Sequence, residues 1–134
     1  MVPEISPSPD AAPFWDACRR HELALPWCAR CQRPFFYPRP LCPACGSRDL
    51  RWQRASGLGE VYSFCVQYQS RLPGYRDAVP FVTAIVELAE GPRLMTLLVD
   101  VPPRPDLIRC GMPVEVAFKD LPDGNALPVF RPVA

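Results

Sequence analysis

Two close pairs of cysteines, followed by a run of short alternating segments broken by Gly and Pro, predict a mainly β protein. The expected order is a short N-terminal helix, a rubredoxin-like metal ribbon, then a five-stranded barrel of the OB type. The pairs are Cys28-Ala29-Arg30-Cys31 and Cys42-Pro43-Ala44-Cys45, the second closed by Gly46. Each can set two thiolates on one tight turn. Two such turns facing each other supply four sulfurs in a tetrahedron, as Zn²⁺ takes in closed structural sites. One pair alone would fit a redox motif equally well, whereas two at this separation point to a zinc ribbon. The expectation is one structural Zn²⁺ on Cys28, Cys31, Cys42 and Cys45, with no coordination position left for water or substrate.

The elements follow in order. Residues 1–12 form a lead-in, and Asp10 is placed to cap a short helix beginning near Pro13. Phe14, Trp15 and Cys18 lie at helical spacing. Leu23 to Trp27 reads as a strand entering the first metal turn. Pro34 to Pro40 is an aromatic, proline-stiffened arm, and Leu50 and Trp52 close the ribbon. After Ser56-Gly57-Leu58-Gly59 the period becomes two. Tyr62, Phe64, Val66 and Tyr68 alternate with Ser63, Cys65, Gln67 and Gln69, which predicts a half-buried strand with the aromatics in the core. Residues 70–80 are a long loop. Further strands are predicted at Phe81 to Leu88, Arg93 to Val101, around Val114, Val116 and Phe118, and at Leu127 to Val133. Pro128 and Pro132 mark the last as an edge. The resulting division is lead-in and helix at 1–22, ribbon at 23–54 and barrel at 55–134.

Composition bounds the function. The chain has 134 residues, and 49% of them are hydrophobic, enough for a real core in the larger part. Net charge is +1, so no general attraction to nucleic acid or anionic membrane follows. Residues 1–56 hold eight arginines and five acids, while residues 57–134 hold seven basic and nine acidic side chains. Met1 to Pro13 lacks the basic start and apolar stretch of a signal peptide, and no segment is long and apolar enough to span a bilayer. A reducing, cytoplasmic setting is expected. Cys18, Cys65 and Cys110, the cysteines outside the two pairs, are expected to be small core residues.

No catalytic constellation emerges. His21 is the only histidine, and it sits beside Arg20 and Glu22 in a polar stretch. Cys18 lies one helical turn earlier, with nothing nearby to supply an oxyanion hole. Glu60, Glu87 and Glu115 fall on different strands. Gly57-Leu58-Gly59 enters a strand rather than opening a helix, so it is no phosphate loop.

The sequence resembles the acyl-CoA-associated zinc-ribbon/OB-fold family over nearly its whole length. The matching stretches are Pro13-Phe14-Trp15; the two Cys pairs with Tyr37-Pro38-Arg39-Pro40 between them; Trp52; Ser56 to Phe64; and Pro80 to Leu88. They continue with Glu90-Gly91-Pro92-Arg93-Leu94, Gly111 to Val116 and Phe130-Arg131-Pro132. Gln32 departs from the pattern, since Gly often follows the first pair. The resemblance implies a partner subunit of thiolase-like enzymes, in some cases of hydratases, with the nucleophilic cysteine on the partner. It implies support for condensation, thiolysis, retro-aldol cleavage or acyl transfer on acyl-CoA substrates.

Two surfaces are expected from this. Phe14, Trp15, Phe35, Phe36 and Tyr37 are many large aromatics for a small ribbon, and such residues anchor interfaces, so helix and arm are expected to dock on the partner; the alternative is that they pack together, helix on arm. Loop residues Arg71, Tyr75 and Arg76 are expected to border the acyl-CoA channel. The rival reading is a single-stranded nucleic-acid module in which Tyr62, Phe64 and Tyr68 stack bases. The acidic surplus of the barrel half counts against it.

Overall fold

A computed structural model describes residues 5–133 of the chain. A 3-10 turn, Pro9–Ala11, runs straight into helix α1, Ala12–Arg19. Ala11 occupies the N-cap position and no side chain caps the helix, so Asp10 lies inside the leading turn instead of ahead of the helix, contrary to expectation. Three strands then build the ribbon: β1 (Ala24–Cys28), β2 (Arg33–Pro34) and β3 (Leu50–Arg54), in the order β2-β1-β3.

Five strands close the barrel: β4 (Leu58–Gln67), β5 (Phe81–Leu88), β6 (Arg93–Leu98), β7 (Pro113–Asp120) and β8 (Ala126–Pro132), paired as β4-β5-β6-β8-β7 with β7 returning to β4. Every pairing is antiparallel except β6 with β8. This is the Greek-key order of an OB barrel. Burial alternates along β5, where Val82, Ala84, Val86 and Leu88 point inward, and on β6 through Leu94, Thr96 and Leu98. Phe130 on β8 is 0% exposed and sits in the same core.

Strand β4 departs from simple alternation. Val61 pairs with Val86 and Ser63 with Ile85, so Tyr62 is an extra residue in a bulge. The bulge moves the inward set from Val61 to Phe64 and Val66. Tyr62 is therefore exposed, with the Arg93 guanidinium 3.8 Å above its ring. Tyr68 lies beyond the strand end and is 63% exposed. The expected four-member aromatic core face thus holds for Phe64 and Val66 only. Gly59 precedes the bulge, and a Cβ there would come within 2.6 Å of the Glu87 carbonyl and 2.8 Å of Val86 Cγ1. Only glycine lets β4 approach β5 this closely.

Strand β8 is no edge, because it lies between β6 and β7. The prolines nevertheless have a reason. The Phe130 carbonyl accepts from Val99 on the β6 side, so residues of the same parity, Pro128 and Pro132, also turn their backbone nitrogens to that side. That seam has a single bridge, Leu98 with Phe130, and needs few donors. The Thr96 hydroxyl donates to the Pro128 carbonyl at 3.2 Å and satisfies it.

Ribbon and barrel share one core. Phe14, Cys18, Leu23 and Leu25 cluster with Ala55, Val61 and the barrel interior. Arg19 donates to Asn125 Oδ1 through Nε (3.1 Å) and Nη2 (2.8 Å), tying the helix end to the β7–β8 turn. Among the described residues no helix is long and apolar enough to cross a membrane.

Candidate metal centre and partner surfaces

The two knuckles have matching backbones. In the first, Gln32 N–H donates to the Cys28 carbonyl (2.8 Å) and Gln32 takes φ +55°. In the second, Gly46 N–H donates to the Cys42 carbonyl (2.9 Å) and Gly46 takes φ +75°. Both chains must turn left-handed after the second cysteine, and Gln32 does so without the freedom of glycine. The Cys31 amide also donates to Cys28 Sγ at 3.3 Å.

These turns bring the four sulfurs within 4.8 Å of one another. Cys28 and Cys45 lie 3.6 Å apart and Cys31 and Cys42 3.9 Å. A tetrahedron of Zn–S bonds of about 2.3 Å puts its sulfurs about 3.8 Å apart. An all-thiolate donor set at that spacing fits one Zn²⁺ and fills its coordination shell. Backbone N–H donation from Cys45, then Ala44, pulls the Cys42 thiol down to about 6 against the opposing effect of burial. Hydrogen bonding with Cys45, then burial, pushes Cys31 up to about 12. When bound, the metal takes the place of the shared protons and holds the two knuckles together.

The aromatics expected at an interface mostly meet one another. Phe14 is buried and lies 5.0 Å from Trp15, edge-on, and 5.4 Å from Phe36; Phe36 lies 5.2 Å from Tyr37. Phe35 is buried, Trp15 and Phe36 are half-buried, and only Tyr37 is exposed. The ribbon is helped by the helix and barrel, which supply the core it could not build alone.

In the 68–80 loop, Arg71 and Arg76 are exposed and line a depression of about 330 Å³. Tyr75 turns away onto Phe81, with ring centroids 5.4 Å apart, and burial raises its pKa. A cleft of about 410 Å³ separates the ribbon from the β5–β6 turn, with Cys31, Cys42, Arg33 and Glu90 on its walls. Another, of about 420 Å³, is lined by Trp52, Arg39 and Arg48 with Pro26 and Pro40. Sequence reading missed both clefts. The one available signal was the density of arginines between residues 30 and 54.

Of the spare cysteines, Cys18 is buried, and burial pushes its thiol up to about 12, which makes it a poor nucleophile. Cys65 and Cys110 are exposed, not core residues as expected: Cys65 lies on the outward set of β4 after the bulge, and Cys110 in the turn before β7. His21 is past the helix end at φ +59°, its Nε2 2.8 Å from Asp120 Oδ1 and its ring stacked on Phe118. It therefore faces β7, not Cys18. Glu60 and Glu87 are cross-strand neighbours, but Glu87 is held by Arg93 at 3.2 Å.

A four-cysteine ribbon leading into this barrel defines a zinc-ribbon/OB-fold protein. Residues 15–51 match the ChsH2 rubredoxin-like zinc ribbon domain and residues 52–119 the ChsH2 C-terminal OB-fold domain, and the chain belongs to this ChsH2 (DUF35) family. It is 35% identical over 102 residues to a DUF35 domain-containing scaffold protein of Methanothermobacter thermautotrophicus, covering 75% of this chain and 74% of that one. It is 41% identical over 120 residues to a probable enoyl-CoA hydratase alpha subunit of Thermomonospora curvata, covering 89% of this chain. With the 3-oxo-4,17-pregnadiene-20-carboxyl-CoA hydratase alpha subunit of Mycobacterium tuberculosis it shares 37% over 120 residues, 88% of this chain. The chain spans 36% of the length of each of these hydratase subunits. Among solved structures, a chain of an Ltp2–ChsH2(DUF35) aldolase matches with a TM-score of 0.86 and 37% identity, over 98% of this chain and 100% of that one. A DUF35 protein of unknown function from Sulfolobus solfataricus shares the fold at a TM-score of 0.64 and 14% identity.

Proposed function

We propose that this chain is a non-catalytic subunit that assembles with a thiolase-like acyl-CoA enzyme, steadies the assembly and helps shape its acyl-CoA channel. The observation that carries this reading is the end-to-end likeness to the ChsH2 chain of an aldolase complex. Three features support it. Four thiolates fill the shell of a zinc ion, so the metal has no open position for Lewis-acid work. Cys18 is buried with its proton firmly held, and His21 is engaged by Asp120. The donor set requires cysteines kept reduced, which suits a cytoplasmic setting. Tyr37 and the edge of Trp15 would meet the partner, and Arg71 and Arg76 would reach toward the acyl-CoA.

A hydratase partner is the second reading, favoured by the two hydratase alpha subunits among the relatives. Affinity capture of the tagged chain from its native cell separates these. A co-purifying thiolase-like subunit, with CoA-ester turnover only when both chains are present, is the expected result. In that complex Arg71→Ala with Arg76→Ala should raise KM for the CoA ester without loosening assembly. A hydratase-like subunit alone would carry the second reading. Turnover by this chain by itself, or tight salt-dependent binding to single-stranded nucleic acid, would sink both.

A further inference from the structure

The ribbon holds six arginines, Arg30, Arg33, Arg39, Arg48, Arg51 and Arg54, against a single acid, Asp49. All six are exposed. Arg51 lies 4.0 Å from Asp49 and Arg54 4.0 Å from Glu22. The other four have no acidic partner within 4.0 Å among the described residues. A zinc ion on four thiolates carries a formal charge of about −2, and the ribbon stays cationic after that is subtracted.

Arg39 and Arg48 share the cleft lined by Trp52, whose walls include Pro26 and Pro40. Proline fixes its own φ, so these walls are shaped before anything binds. Asp10 also borders the cleft, yet it forms no ion pair with either arginine. The cleft thus brings two guanidiniums without an acidic partner and an indole into one lining. Guanidinium forks match carboxylates two bonds at a time, and the indole accepts an apolar side chain between them. Arginine and tryptophan together are the residue types that anchor protein interfaces.

We propose that this arginine-rimmed cleft docks an acidic surface segment of the enzyme subunit with which the chain assembles. The inference rests on the assembly reading above and adds the surface, the residues and the charge of the partner. A protein occupant fits better than nucleic acid because the barrel carries the acidic surplus, which would repel a strand running from ribbon to barrel.

The test uses the thiolase-like subunit captured as above, purified separately and immobilised, with association and dissociation rates measured at low and high ionic strength. Arg39→Glu with Arg48→Glu should slow association roughly tenfold at low salt and flatten its salt dependence. Arg104→Glu with Arg109→Glu, the same change of charge at two exposed residues of the barrel half, should leave both unaltered. Zinc content and melting temperature verify that the variants are folded; if the double charge reversal loses zinc, Arg39→Gln with Arg48→Gln takes its place, with a smaller effect in the same direction. Unchanged rates and salt dependence in an intact complex would overturn the proposal and leave the assembly reading standing. Absence of any wild-type complex would overturn both. Salt-dependent capture of an oligo-dT strand through Arg39 and Arg48, or self-association that these substitutions abolish, would also overturn it.

Discussion

Gln32 and Gly46 stand at the same place in the two metal knuckles, and only one of them suits the backbone it must adopt. At φ +55° the Gln32 Cβ crowds the neighbouring carbonyl, which costs about 1–2 kcal/mol for an L-residue. Glycine removes that strain and returns about 0.4–1 kcal/mol through its greater freedom in the unfolded chain. Gln32→Gly is therefore expected to raise the unfolding free energy by about 0.5–1 kcal/mol, read as a higher melting temperature of the zinc-loaded protein. A lower melting temperature would mean that the Gln32 side chain contributes something the knuckle geometry does not explain. The change keeps all four ligands, so zinc content should stay at one per chain.

At the level of elements, the helix is held to the barrel by a short polar chain. Arg19 donates to Asn125 Oδ1, and Asn125 in turn donates to Asp123 through its backbone N–H (2.9 Å) and its side-chain amide (3.1 Å). The two Asn125 donors, backbone first, hold the Asp123 carboxyl below its ordinary range. A depressed folded pKa means that the unfolded chain takes up the proton more readily. The resulting stabilisation is present above the ordinary carboxylate pKa of about 3.9 and is lost as pH falls through the lower folded value. Asp123→Asn should thus lower the melting temperature at pH 7, and the gap from wild type should close in acid. A gap that persists unchanged in acid would show that the turn needs both acceptor oxygens of Asp123 and not its charge. The β6–β8 seam is the matching weak point of the barrel, with one bridge and the Thr96–Pro128 bond across it.

For the whole molecule, the shared core decides how metal loss is felt. Apparent zinc binding in such sites is worth on the order of 10–16 kcal/mol, as large as the whole usual stability of a domain. Because Phe14, Leu23 and Leu25 pack with Val61 and the barrel interior, loss of the ribbon strips one wall from the barrel core. Chelation, or Cys42→Ala, is expected to lower the melting temperature of ribbon and barrel together, as one transition followed by circular dichroism. A barrel that keeps its original melting transition after the zinc is gone would show two independent units. Acid should release the metal by the same route, since protons compete for the thiolates.

The metal ligands, the helix–ribbon–barrel order and most strand positions were legible in the residues themselves. Cysteine spacing encodes a knuckle directly, and two-residue periodicity encodes a strand with one wet face, as Phe81 to Leu88 shows without adjustment. Local pattern could not reveal the bulge at Tyr62, because an extra residue declares itself only against the partner strand. The same reason hid the place of β8: Pro128 and Pro132 mark a side without donors, and only barrel closure makes that side an internal seam. The aromatics of helix and arm were visible as a surplus, and spacing left two outcomes open, docking on a partner or packing together; the contacts of Phe14 with Trp15 and Phe36 follow the second and need helix and arm to meet. Arg39 and Arg48 are nine residues apart in the chain, and their common cleft exists only because the metal turn folds one back beside the other. Spacing within one segment was enough where a few neighbouring side chains make the structure; tertiary contacts decided every feature that needs two distant segments to meet.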